Sequence, residues 1–305
     1  MNQEILSKSI ALIGPSCVGK SLFAKELAKR LNLPLINIDE LLDMIELEKY
    51  GHLDSTPQKQ QEYINRCLMD ISQDTELKET LTDPQYIETT HRLVHEFIDM
   101  FNYYHNLLGD FKPFYEIMNK YDYYYKNIHD PLEIICTLNY LTNEMLTKIF
   151  DVINQPIILD SPAPFGWQAN NSLDFFSKLR LKRCTLNIDT PLVDNVMTET
   201  LSKMQTVLLL PGLDYKTRNA FSKVEPNNII LEDLDNYYTA NIEITTNGLF
   251  NSPENKYFKQ RGWFDAKEIL TKEKLKDSGE INNICDEILA RLEELKLGNQ
   301  LTDDK

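Results

Sequence analysis

The chain has 305 residues, 42% of them apolar and 26% charged, close to the globular averages of about 45–50% and about 25%. That is enough apolar material for a sizeable core and excludes wholesale disorder. The net charge of −15, from 32 basic and 47 acidic residues, argues against a duplex nucleic-acid partner, which needs a basic face for its phosphates.

Met1 to Leu6 lacks the basic-then-apolar pattern of a secretory signal. No apolar run approaches the roughly 18 residues of a membrane span, so no membrane partner is expected. The next stretch, Ser9 to Ile13, is a short apolar strand ending at Gly14. Leu22, Phe23, Leu27 and Leu31 then recur at helical spacing. Asn32-Leu33-Pro34 stops that helix, because proline disfavours the α-region for the residue before it. Leu35 to Ile38 reads as a second strand closed by Asp39.

Composition changes over residues 46–154. The stretch 46–150 holds all five histidines and eleven of the fifteen tyrosines, with nine Lys/Arg against eighteen Asp/Glu. Pro57, Pro84, Pro113 and Pro131 are placed as first-turn residues of about four helices. Leu93, Phe97, Phe101, Tyr104 and Leu108 supply one apolar stripe. From residue 155 to 299 strand–helix alternation returns. Pro156 to Asp160, Thr206 to Leu210 and Asn241 to Thr246 are strands, and Ile281, Ile284, Ile288, Leu289 and Leu292 mark a closing helix. Residues 300–305 read as a frayed tail. Continuous apolar strands alternating with helices predict an α/β fold with a parallel sheet covered by helices. The expected organisation is a discontinuous strand–helix core, 1–45 and 155–299, interrupted by an all-helical insertion, 46–154.

The chemistry centres on Gly14-Pro15-Ser16-Cys17-Val18-Gly19-Lys20-Ser21. It matches G-x-x-x-x-G-K-[ST] in full, after a strand and opening a helix, so the expected core is that of a P-loop NTPase. The glycines let backbone N–H groups turn inward as an anion nest, and the helix aims its positive end at the same spot. Lys20 then serves the β/γ-phosphates and Ser21 a magnesium ion. Asp160, an acid closing a buried strand, is the second metal-holding candidate, against the alternative of an ordinary strand-to-loop aspartate. Asp39 is placed to orient an acceptor hydroxyl or take its proton, or to cap the helix that follows. Arg218, in Asp214 to Asn219, is the candidate cation for the transferring phosphoryl group, against the alternative of a solvated helix surface. Arg180, Lys182 and Arg183 read as an exposed basic run.

Gly14 to Ser21, Pro34 to Asp39, and Ala240 to Thr246 with Ser252-Pro253-Glu254 together resemble the shikimate kinase-like group of small-molecule P-loop kinases. The resemblance implies an acceptor contact at Asp39 and an adenine border near Asn247 to Pro253, while the group's second acid, which helps hold magnesium, falls where this chain has Asn37. The group's glycine triplet after the third strand is replaced by Ser161 to Gly166, and its acceptor-binding arginine is missing from Leu234 to Tyr238, which argues against shikimate itself.

The resulting expectation is an enzyme, a kinase that uses ATP and Mg²⁺ to phosphorylate a hydroxyl of a small molecule. A tRNA prenyltransferase-like P-loop enzyme and a non-catalytic, nucleotide-gated module are the alternatives. In the last, the acidic insertion meets a protein partner. For the kinase, the net charge of −9 over 46–150 favours a neutral or cationic acceptor, and the insertion is expected to be its lid or substrate region. His91 and His95 share a helical face with Asp99 and read as solvated. Tyr121, Tyr123, Tyr124 and Tyr125 are a stacking platform or helical packing. The five cysteines, Cys17, Cys67, Cys136, Cys184 and Cys285, are odd in number and far apart, which fits a reducing cytoplasm. Cys17, at a helix N-terminus, is the thiol expected to be sensitive to oxidation.

Overall fold

Five parallel strands form the sheet in the computed structural model, in the order β2-β3-β1-β4-β5. The structure describes residues 8–13, 19–71, 83–127, 131–160, 202–211, 242–246 and 279–303. The strands are β1 (Ser9–Ile13), β2 (Leu35–Asn37), β3 (Ile158–Asp160), β4 (Met204–Pro211) and β5 (Ile242–Thr246). The helices are α1 (Lys20–Leu31), α2 (Ile38–Lys49), α3 (Pro57–Ile71), α4 (Asp83–Leu108), α5 (Tyr115–Asn127), α6 (Pro131–Val152) and α7 (Gly279–Asp303). A 3-10 turn, Lys112–Phe114, precedes α5. Among the described residues no helix is long and apolar enough to cross a membrane.

β1 is central, and Ile10, Ala11, Leu12 and Ile13 are fully buried, as a strand covered on both faces requires. From β1 the chain moves to one side of the sheet for β2 and β3, then crosses to the other side for β4 and β5. Such a reversal of direction leaves a crevice at the carboxyl ends of the central strands. α1 packs over β1, β2 and β3 and against α7, which also covers β5. Phe23, Ala24, Leu27 and Ala28 form the buried face of α1. Its end is set by Asn32 in the left-handed region at φ 52°, whose N–H closes on the Ala28 carbonyl, a conformation asparagine tolerates. Arg30 ties α1 to α7 through Asp286 Oδ1 at 2.6 Å and Asn282 Oδ1 at 2.5 Å.

The chain divides into two compact units, one of Met1–Asp39, Lys120–Lys256 and Ser278–Lys305, the other of Glu40–Asn119 and Tyr257–Asp277. The first contains the sheet. In the second, Leu41, Met44, Ile45, Val94, Ile98, Phe101, Phe111 and Phe114 are buried. There Tyr63 of α3 stacks on Phe97 of α4, centroids 5.5 Å apart. Glu48 accepts the Tyr115 hydroxyl at 3.0 Å and lies 3.1 Å from His105 Nε2.

Several sequence expectations shift by a residue or a turn. Pro57 and Pro131 open helices, Pro84 is the second residue of α4, and Pro113 lies in the 3-10 turn, where a missing N–H costs nothing. The apolar face of α4 runs through Val94, Ile98, Phe101, Tyr104 and Leu108, while Leu93 and Phe97 are half-buried at its flank. A strict i, i+4 row drifts around a 3.6-residue helix, so the buried face changes row along it. β2 ends at Asn37, one residue short of the expected strand, because buried Ile38 already begins α2. α7 continues to Asp303, through most of the tail expected to fray.

Candidate functional site

The carboxyl ends of β1, β2 and β3 hold a lysine, a hydroxyl, an amide and a carboxylate in one neighbourhood. Gly19 lies at φ 95°, ψ 9° and is the N-cap of α1. That left-handed conformation is cheap for glycine and costly for a side-chain-bearing residue. Among the described residues no side chain caps α1, and its first turn carries no acid. The positive end of the helix dipole lies here, on the side of Asp160. Lys20, the first helical residue, is only 8% exposed, and Ser21 is half-buried.

Asp160 ends β3 and is 3% exposed. The register sets it beside Leu12 of β1 and Asn37 of β2. Asn37 Nδ2 donates to Asp160 Oδ2 at 2.7 Å, and Ser21, at the start of α1, also favours the charged form of this carboxylate. Burial lifts the Asp160 carboxyl above the ordinary carboxylate range. Lys20, Ser21, Lys25 and the Asn37 bond pull in the opposite direction without overcoming it.

Asp39 does not close its strand. It sits exposed in the first turn of α2, two residues past the end of β2, where its charge complements the helix dipole. Near it is Tyr121, whose hydroxyl lies 3.2 Å from Thr142 Oγ1. Burial, with smaller contributions from the Asp39 and Glu144 carboxylates, pushes the Tyr121 phenol up, against the pull of Thr142.

The structure therefore brings Gly19, Lys20, Ser21 and Asp160 together, with Asp39 beyond the neighbouring strand end. Gly14, Pro15, Ser16, Cys17, Val18 and Arg218 lie outside the described residues, as do the segments 161–166, 180–183, 234–238 and 247–254. Tyr121 is engaged with Thr142 and Tyr123 is exposed, so these two do not share one environment. His91, His95 and Asp99 are exposed on α4. The partnership of Asn37 with Asp160 was not read from the sequence. Its signal was an amide inside the otherwise apolar run Leu35 to Ile38, since a polar group in a buried strand needs a partner.

Chemically, the set fits a magnesium–nucleotide site. An ammonium and an uncapped helix N-terminus suit phosphate oxygens, and a hydroxyl with a carboxylate suits a hard divalent cation. Among the described residues no group of three His, Cys, Asp or Glu side chains is placed to hold a metal ion. Mg²⁺ does not need one, because it retains waters and uses one or two carboxylates with substrate phosphates. Comparison of the chain with protein-family models, with curated proteins and with solved structures yields no match.

Proposed function

We propose that the chain is a P-loop phosphotransferase that binds ATP and Mg²⁺ at the loop from Gly14 to Ser21 and moves the γ-phosphoryl group to a hydroxyl of a small molecule. The observation that carries this reading is the meeting of Lys20, Ser21 and buried Asp160 around the uncapped start of α1. Lys20 would hold the β- and γ-phosphates as a point charge, and Ser21 with Asp160 would hold the metal. The metal held there would supply positive charge to offset the charge of the transferring phosphoryl group. The acceptor oxygen bonds to the γ-phosphorus as the bond to the β-phosphate oxygen breaks, releasing ADP. Asp39, exposed beyond β2, orients the acceptor hydroxyl and receives its proton, a modest demand in a loose transfer.

The test is ADP release in MgCl₂, measured with and without a panel of small hydroxylated compounds. ADP formation should depend on both metal and acceptor. Lys20→Ala should lower turnover by roughly 10²-fold or more, as loss of a charge-stabilising group does. Unchanged nucleotide affinity together with unchanged turnover in that variant would overturn the assignment.

A further inference from the structure

We propose that Asn37 is a positioning residue for Asp160, holding one oxygen of its carboxylate so that the group presents to Mg²⁺ in a fixed orientation. This rests on the reading of the site as a magnesium–nucleotide site. The two residues are register partners on adjacent parallel strands. Their side chains, 9% and 3% exposed by residue, meet through the 2.7 Å bond from Asn37 Nδ2 to Asp160 Oδ2. Both are anchored in backbone that the sheet holds rigid, so the bond fixes the carboxylate plane against β1 and the start of α1.

The residue type matters. An acid at position 37 would set a second buried carboxylate within hydrogen-bond distance of the first, and two such charges repel. An apolar residue would remove a donor that a desolvated carboxylate needs. An amide satisfies one oxygen and adds no charge, leaving Ser21 and Lys20 to work on the same group from the α1 side. Outer partners of this kind commonly determine metal affinity, and their loss costs about 10–100-fold.

The experiment is calorimetric titration of the full chain with ADP, once in MgCl₂ and once in EDTA, for the wild type, Asn37→Ala and Asn37→Ser. Serine is too short to span the gap to Asp160. Both variants should lose about 10–100-fold of the affinity that Mg²⁺ adds, with binding in EDTA unchanged. A variant that keeps the full magnesium effect, or weakens both conditions equally, makes Asn37 merely structural and overturns the proposal. Should either variant fail to fold, the exchange Asn37→Asp with Asp160→Asn retains the hydrogen-bonded pair and its volume while moving the charge to β2. It too should lose the magnesium effect, and its retention would overturn the proposal. A wild type that binds ADP in neither condition refutes the nucleotide reading itself, a failure distinct from that of Asn37.

Discussion

Replacing Asp160 by asparagine should make the ligand-free protein more stable and, on the proposed function, remove the magnesium effect on nucleotide binding. The carboxylate is 3% exposed, and its proton is held more tightly than in an ordinary aspartate because burial outweighs Lys20, Ser21, Lys25 and Asn37 together. Ionised Asp160 therefore costs stability at neutral pH. Each tenfold change in proton affinity is worth about 1.4 kcal/mol. Asparagine has the same shape and can still accept from Asn37. A gain in stability follows, which calorimetry should read as a higher Tm. The sign with pH is determined. A carboxyl whose folded-state pKa is raised destabilises above that pKa, and the penalty vanishes as the pH falls through it toward the unfolded value. The variant's advantage should thus fade on acidification. A Tm several degrees below wild type at neutral pH would refute the reasoning, because Asp160 would then be the stabilising partner of a buried ion pair.

Other outcomes can be checked alongside. Phe101 is fully buried and meets Phe111 edge-on at 5.7 Å, so Phe101→Ala should cost about 3–5 kcal/mol; a loss below 1 kcal/mol in urea unfolding would contradict its core placement. Burial pushes the Cys285 thiol up to about 12, so at pH 8 roughly one molecule in 10⁴ carries the reactive thiolate. Peptide mapping after iodoacetamide should therefore find Cys285 unlabelled in native protein and labelled in denaturant, and ready native labelling would contradict the packing of α7 on α1.

The sequence by itself determined the local elements and one end of the site. β1 was legible because four consecutive apolar residues suit a strand buried on both faces, and α1 because its apolar residues recur at helical spacing. Prolines lacking a donor marked the helix starts at Pro57 and Pro131. Gly19, Lys20 and Ser21 stood out as a group because the motif sets a glycine, a cation and a hydroxyl next to one another where a helix opens. The tertiary structure alone decided that β3 lies between β2 and β1, and hence that Asn37 meets Asp160 across 123 residues of sequence. It also decided that Ile38 turns β2 directly into α2, moving Asp39 off the strand end and into a helix. Periodicity reports which face of an element is apolar. It carries no term for which strand enters beside which, because that choice is made by long crossovers whose packing joins residues far apart in the chain.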